Sequence, residues 1–207
     1  NAGIVGATGA VTGASLGGYT VTNVFDNDII AAVDGTTIQN AKSTSVNAES
    51  DIDILNGLAS AGLAGIGANA LANVLVNVIN NNVTAYIADS YIQGGSVSSF
   101  AKQSTNVNNN AYAGGAVGAG ANAVINTVVN SFENNLLSYI DIDNTSLDGV
   151  STVSVAADSD ENLRNTNIGV SVAELGASIG SNTIVNYIED TTKAYIDAKG
   201  KSMNASG

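Results

Sequence analysis

The sequence predicts an all-β protein, a parallel β-solenoid that forms a single domain over residues 1–207. Three observations predict this fold. A phrase of eleven residues recurs at a nearly constant interval, apolar and polar residues alternate with a period of two, and proline is absent. A constant interval is typical of stacked repeats, each of which packs on its neighbours. The period of two favours strands, and strands inside a sheet need the backbone N–H that proline lacks.

The recurring phrase is clearest at residues 77–87, where it reads NVINNNVTAYI. Degraded copies occupy residues 23–33, 130–140 and 186–196, so the first Asn of each copy follows the previous one by 54, 53 and 56 residues. The chain therefore holds about four repeats of 53–56 residues. In a solenoid, equivalent residues stack at the strand spacing of ~4.8 Å, so we expect Asn to lie over Asn and Val over Val. A β-sandwich, the alternative fold for such strands, does not require the same phrase to recur at a nearly constant interval.

Within one repeat, the even-numbered residues from Gly62 to Val78 are apolar or glycine, while Asn69, Asn73 and Asn77 are odd-numbered. Period two fits this segment, but asparagines four residues apart would also share one face of a helix, so periodicity alone leaves both structures open. Residue type favours the strand, because glycine weakens helices and β-branched residues, which crowd the end of the segment, prefer a pleated sheet. We expect one alternation of faces to run through the whole segment.

Clusters of Asn, Asp, Ser and Thr predict where the strands end. Such residues tolerate turn conformations and close local hydrogen bonds. We expect turns at residues 80–82, 105–110, 134–135 and 158–167, and bends at residues 89–90 and 141–144. Each repeat would then hold several short strands. With about three coils per repeat, the chain would form on the order of ten coils or more, a rod roughly 50 Å long.

Composition excludes several classes of function. The chain has no His, Cys or Trp, which removes the imidazole bases, thiol nucleophiles and soft metal ligands of most enzyme and metal sites. Its formal net charge of −12 repels nucleic acid and anionic lipid. Residues 57–79 and 111–132 carry no charge and are long enough to cross a bilayer, but three asparagines in each are costly in hydrocarbon. We therefore expect no nucleic-acid partner and no membrane span.

Acidic pairs two residues apart are the candidate sites. They occur at Asp26/Asp28, Asp51/Asp53, Asp141/Asp143 and Asp158/Asp160, and on a strand both members of a pair would point to one face. The densest group is Asp141, Asp143, Asn144 and Asp148, whose oxygen atoms are ligands of the kind that Ca²⁺ takes, although the spacing matches neither the EF-hand loop nor the nonapeptide calcium repeat. The other interpretation is that these are solvated turn acids. Apart from this weak calcium candidate, we expect no cofactor.

Two carboxylates also suffice for the general acid and base of a glycan hydrolase, a chemistry that β-helices host. The acidic pairs are spread over every repeat, however, whereas sugar-cleaving clefts offer aromatic platforms and polar groups in one concave place. No residue is assigned a catalytic role. Tyr86, Tyr139 and Tyr195 recur at one position of the phrase, where they could form a ligand ladder or, as stacked tyrosines more often do, seal a corner of the coil.

The block from Gly65 to Ile87, GIGANALANVLVNVINNNVTAYI, resembles the recurring phrase of very large secreted β-helical proteins of the leukotoxin and filamentous-haemagglutinin type. Such proteins are exported by two-partner secretion or autotransporter routes. The resemblance touches all four repeats and implies a right-handed parallel β-helix, a passenger that acts as adhesin, cytotoxin or stalk. A proline-free chain cannot hold the Asn-Pro-Asn-Leu export signature of these proteins, so we expect an interior repeat segment. No catalytic residue is carried over.

Together these inferences predict a non-catalytic, extracellular rod segment of a bacterial surface or secreted protein, with a structural or adhesive role. Its partners would be a host or neighbouring-cell surface, a glycan, or itself. One alternative is a self-assembling subunit of a filament or sheath, because solenoid ends expose strand edges that pair with another copy unless they are capped. The second alternative is a β-helical carbohydrate-active enzyme.

Overall fold

The computed structural model describes residues 2–198, which contain strands and short connections but no helix. The seven strands are β1 (Ala2–Asp34), β2 (Thr37–Ile38), β3 (Ser43–Ala88), β4 (Tyr91–Gln93), β5 (Ser96–Asp141), β6 (Ser146–Asp148) and β7 (Thr152–Asp197). The four long strands form one parallel sheet in the order β1-β3-β5-β7, and the three short strands form another in the order β2-β4-β6. The predicted all-β parallel solenoid is confirmed.

The four long strands are stacked rungs, and their register equals the repeat interval. Asn23 pairs with Asn77, Asn77 with Asn130, and Asn130 with Asn186. Each position of the repeat therefore forms a column through the stack, and the predicted stacking of Asn over Asn is confirmed. Strands β1, β3, β5 and β7 are called rungs 1 to 4. Rung 1 has 33 residues against 46 in each of the others, and it pairs only with residues 56–88 of rung 2.

Each long strand bends sharply near its middle, so that its two halves face each other. In rung 2 the bend lies at Gly65 and Gly67; Gly65 is skipped in the pairing with rung 3, and Gly67 has a φ of +133°. Across the gap between the halves, Asn56 Nδ2 donates to Asn77 Oδ1 at 2.9 Å. We call the residues before the bend the first arm and those after it the second arm. The short strands close the coil at the far end.

The bend reverses which residues face the interior. In the first arm of rung 2 the even-numbered side chains are buried, as at Ile54 and Leu58, whereas in the second arm the odd-numbered ones are, as at Leu75 and Ile79. The expected single alternation from Gly62 to Val78 is therefore wrong. The residue skipped at the bend moves every later side chain to the opposite face of the strand, as a bulge does. The apolar even-numbered residues of the second arm lie on the outer face, and its asparagines at odd positions lie inside.

Two further expectations are wrong. Residues 80–82, 105–110, 134–135 and 158–167 lie within long strands and form no turns, because polar side chains among them bond to equivalent residues of neighbouring rungs. Each repeat also makes one rung and not three short coils. The bends at residues 89–90 and 141–144 are confirmed, with Asp89 at a φ of +49°.

The stack has the shape of a thin plate. Half of a 46-residue strand extends ~75 Å at about 3.3 Å per residue, while four rungs at the strand spacing are only ~20 Å high. Its core lies between the two arms, where four apolar clusters follow one another from the bend to the short strands. Buried asparagines separate some of these clusters. A 50 Å rod is therefore not formed by these four repeats.

Candidate functional site

A double ladder of asparagine side chains runs through the interior. The second arms contribute one file and the first arms the other, and both files are fully buried in rungs 2 and 3. The members of the two files are Asn23, Asn77, Asn130 and Asn186, and Asn56, Asn109 and Asn165. Each amide bonds along its own file and across to the other file, as between Asn109 Nδ2 and Asn130 Oδ1 at 2.9 Å. The ladder satisfies polar groups that would otherwise be costly to bury.

Every bond along the ladder points the same way. Asn23 Nδ2 donates to Asn77 Oδ1 at 2.9 Å, Asn77 Nδ2 to Asn130 Oδ1 at 2.7 Å, and Asn130 Nδ2 to Asn186 Oδ1 at 2.8 Å. The neighbouring column repeats the direction, from Asn73 to Asn126 at 3.1 Å. The donor side of each amide thus faces the higher rung and the acceptor side faces the lower rung. A stack of this kind has two chemically different ends.

The end at rung 4 is open. Ile184 and Ile188 face the interior but are 45% and 49% exposed, whereas Val128 and Phe132, which occupy the same columns in rung 3, are 0% and 1% exposed. The exposure arises because, within residues 2–198, β7 pairs with β5 on one edge only. Rung 4 therefore presents unpaired backbone groups and an uncovered core surface side by side. We call this surface the rung 4 face.

The interior beside the rung 4 face holds an acidic pair. Asn134 Nδ2 donates both to Glu161 Oε1 and to Asp190 Oδ1, the latter at 2.9 Å, so one amide holds the two carboxyl groups side by side. Burial, together with the hydrogen bond and the charge of Asp190, raises the pKa of Glu161 to about 7, and the bond from Asn134 opposes the rise. Glu161 therefore keeps its proton at mildly acidic pH.

Sequence reasoning missed this pair, because its members are 29 residues apart and lie on different arms. The pair can be recognised in the sequence only by comparing equivalent positions of successive repeats. Glu161 stands where rungs 2 and 3 have Ile52 and Thr105, and Asp190 stands where they have Asn81 and Asn134. These two columns are neutral in rungs 2 and 3 and acidic in rung 4, which distinguishes rung 4 from the inner rungs.

The residues of the predicted calcium group serve other contacts. Asp141 Oδ1 accepts the backbone N–H of Asp143 at 2.9 Å, which closes the turn after β5. Asp148 Oδ2 accepts Tyr91 Oη at 3.1 Å and Gln93 Nε2 at 3.2 Å from the neighbouring short strand. Asn144 is exposed in the turn. Within residues 2–198 the structure brings together no group of three or more His, Cys, Asp or Glu side chains, and a calcium ion stays a prediction.

Three of the acidic pairs lie on the outer faces of the arms. Both members of Asp26/Asp28, Asp51/Asp53 and Asp158/Asp160 are exposed, so each pair does point to one face. They lie on strands and not in turns, and two of them bond to the neighbouring rung. Asn80 Nδ2 donates to Asp26 Oδ1 at 3.1 Å, and Asn106 Nδ2 donates to Asp53 Oδ1 at 3.2 Å. No concave site gathers them.

The recurring tyrosines stack on the outer face. The rings of Tyr86 and Tyr139 are 5.2 Å apart and nearly parallel, and those of Tyr139 and Tyr195 are 5.4 Å apart. Tyr86 and Tyr139 are half-buried, and Tyr195 is exposed on the last rung. Because the rings cover one another, only the ring of Tyr195 has a face open toward the rung 4 side.

The half of the plate near the bend carries almost no charge. Residues 2–25, 57–79, 111–132 and 165–188 contain a single charged side chain, Glu174. A shallow groove of about 390 Å³ lies on the outer face of this half, lined by Leu16, Gly18, Ala72, Ile125 and neighbouring apolar residues. Residues 57–79 and 111–132 are bent strands, and among residues 2–198 there is no helix that could span a membrane.

Comparison with known proteins places no relative beside this chain: no protein family, no curated protein and no solved structure matches it. The resemblance to secreted β-helical proteins therefore rests on the repeated phrase alone. The columns of the stack, the acidic pair and the rung 4 face are the features from which a function can be argued.

Proposed function

We propose that this chain is a non-catalytic structural segment of an extracellular surface or secreted protein, where it has a spacing or adhesive role. The observation that carries the proposal is the column arrangement of the interior. Buried side chains of the inner rungs pack on their own counterparts above and below, as Asn77 does between Asn23 and Asn130. Such an interior stabilises a stack but gathers no reactive groups in a cleft. The resemblance to secreted β-helical passengers supports the extracellular location.

Stretching single molecules between their ends tests the structural role. Rungs 2, 3 and 4 are paired along nearly their whole length, and rung 1 is paired along its own 33 residues, so we expect the chain to resist force and to open one rung at a time. Each repeat of 53–56 residues would release ~180–200 Å of extended chain. Release of the whole chain in one step at low force would contradict a role as a mechanical spacer.

A panel of polysaccharides tests the absence of catalysis. The acidic pairs on the outer faces lack a cleft, and Glu161 with Asp190 is the acidic pair in which a raised pKa accompanies direct contact. We expect no turnover by the purified chain. Turnover that is lost in Glu161→Gln or Asp190→Asn, and kept in Asp51→Asn on the outer face, would favour the carbohydrate-active enzyme instead.

A second candidate function is a subunit of a filament or sheath. The rung 4 face favours it, because an unpaired strand edge beside half-exposed Ile184 and Ile188 is a surface on which a further rung can pack. This function differs from a monomeric spacer in requiring contact between copies. Light scattering of the purified chain over a range of concentrations separates the two.

A further inference from the structure

We propose that a second copy of this chain stacks its rung 1 on the rung 4 face of the first, head to tail, so that its β1 continues the sheet beyond β7. The inference rests on the second candidate function, the filament subunit, and gives the register of its contact. In this register residues 2–34 of the second copy cover residues 165–197 of the first, as each rung covers the next within one chain. Residues 152–164 stay uncovered.

The backbone edges are complementary. Within residues 2–198, β7 pairs only with β5, and β1 pairs only with β3, so each has a free edge of N–H and C=O groups. Free edges of long strands pair readily with another chain unless something blocks them, and proline, a common block, is absent. A parallel continuation of the sheet satisfies both edges in one step.

The asparagine ladder gives the contact a direction. Within residues 2–198, Asn186 Nδ2 at the rung 4 face donates to no group, and Asn23 Oδ1 at rung 1 accepts from none. Both atoms lie in the file whose bonds run from lower to higher rung. In the head-to-tail stack Asn186 Nδ2 meets Asn23 Oδ1 of the next copy, which adds one more bond of the same kind. Two rung 4 faces in contact would place donor against donor.

The apolar surfaces and the area also match. Phe25 of the second copy lies over Ile188, and Val21 lies over Ile184, as Ile79 and Leu75 do over their counterparts in rung 3. The shorter strand, β1, has 33 residues, so a contact about one rung wide buries on the order of 1,000 Å² per partner. Stable interfaces bury about 800 Å² per partner, so the contact is large enough to persist.

Charge opposes the contact and makes it dependent on salt. Asp26 of the second copy lies over Glu189, and Asp34 lies over Asp197. Like-charged neighbours already occur within one chain, where Glu133 pairs with Glu189 and Asp141 with Asp197. Exposed repulsions of this size are screened by salt. We therefore expect association to strengthen as ionic strength rises.

Disulfide trapping tests the register, since the chain has no cysteine of its own. Thr22 and Val185 are exposed residues of one column, so head-to-tail stacking brings position 22 of one copy beside position 185 of the next. Adjacent strands lie within the distance that a disulfide bridges. The double variant Thr22→Cys/Val185→Cys should form a ladder of covalent oligomers on oxidation. The control Thr22→Cys/Val129→Cys places the second thiol in rung 3 and should form none.

Lysine substitution on the two faces of β7 tests the surface. Ile188→Lys puts a charge into the contact, whereas Ile179→Lys puts the same charge on the exposed outer face of the same strand. Sedimentation should show at least ten-fold weaker association for Ile188→Lys and less than two-fold change for Ile179→Lys. Circular dichroism establishes that both variants keep their strands. Electron micrographs of the native chain should show threads with a repeat of ~20 Å per copy.

Three results would overturn the proposal. They are a native chain that stays monomeric at high concentration and high salt, efficient disulfide dimers of Val185→Cys alone, and equal effects of the two lysines. The first leaves a monomeric spacer intact, because the stretching experiment reports on that role independently. The second indicates contact between two rung 4 faces.

Discussion

Ile79 of rung 2 and Ile188 of rung 4 occupy one column and face the same interior, yet Ile79 is 1% exposed and Ile188 is 49% exposed. Both come from the same position of the recurring phrase. The difference arises because rung 2 has a neighbour on each side, whereas within residues 2–198 rung 4 has one neighbour. Burial in this fold therefore depends on the adjacent rung as much as on the rung itself.

The same substitution should therefore reduce the free energy of unfolding by different amounts in an inner rung and in an end rung. An inner rung must fit both neighbours, and an end rung must fit one. Paired substitutions in one column test this directly, because residue type and position in the repeat are the same. Copies that stack head to tail would reduce the difference as protein concentration rises.

The largest difference in free energy of unfolding between an inner and an end rung is expected for substitutions at the bend. A Cβ added to Gly120 would lie 1.8 Å from the backbone oxygen of Gly67, whereas one added to Gly13 meets nothing within 4 Å. Both glycines have positive φ, +136° and +109°. Gly120→Ala should reduce the free energy of unfolding by more than ~5 kcal/mol or prevent folding, and Gly13→Ala should cost about 1–3 kcal/mol from backbone strain alone. Urea denaturation followed by circular dichroism measures both, and equal losses would contradict the close stacking of the bends.

A smaller difference is expected in the asparagine ladder. Asn130 accepts from Asn77 and Asn109 and donates to Asn165 and Asn186. Asn130→Leu keeps the volume but leaves these amides without partners, so we expect a loss of about 3–5 kcal/mol. Asn186→Leu removes fewer bonds at an uncovered rung and should cost about 1–2 kcal/mol. Denaturation midpoints at low protein concentration measure both. A nearly neutral Asn130→Leu would show that the ladder contributes little stability.

The apolar column sharpens the same comparison. Ile79→Ala removes a fully buried side chain and should cost about 2–4 kcal/mol, while Ile188→Ala should cost about 1 kcal/mol because half of that side chain is already in water. Thermal unfolding at two protein concentrations measures the pair. Stacking of copies would increase the cost of Ile188→Ala at high concentration and leave that of Ile79→Ala unchanged. Equal costs at low concentration would contradict an open rung 4.

The smallest effect is expected at the acidic pair of rung 4. The pKa of Glu161 is raised from 4.5 to about 7, so the folded chain holds more protons than the unfolded chain between these pH values. By linkage, the contribution of Glu161 to the free energy of unfolding is fully present below pH ~4.5 and is lost as pH rises through about 7. Solvent screening at this partly exposed site limits the loss to about 1 kcal/mol.

Glu161→Gln should abolish most of this dependence and stabilise the chain at pH 8 by a similar amount. Asp51→Asn, on the outer face of rung 2, changes the charge equally without touching the pair, and it is the matched control. Unfolding midpoints of the two variants at pH 5 and pH 8 show whether only Glu161→Gln loses the pH dependence. Equal changes in both variants would attribute the pH dependence to net charge and not to the pair.

Sequence reasoning succeeded where the information is repeated. The column of Asn23, Asn77, Asn130 and Asn186 and the stacked rings of Tyr86, Tyr139 and Tyr195 follow from spacing alone. Local preference predicts turns at the polar clusters, and this prediction is wrong, because Asn and Asp have the same local preference whether they close a turn or form a ladder. It also missed the contact of Glu161 with Asp190, which depends on how the arms face each other.

The sequence by itself determined that the chain forms parallel strands and that its repeats stack in register, because periodicity and the repeat interval are local properties that each copy restates. Only the tertiary structure decided that one repeat makes one rung, that the asparagines face inward, and that rung 4 is open. The physical reason is the bend. Gly65 and Gly67 are two glycines among 23 in the chain, and the skipped residue there sets which side of every later strand residue is buried.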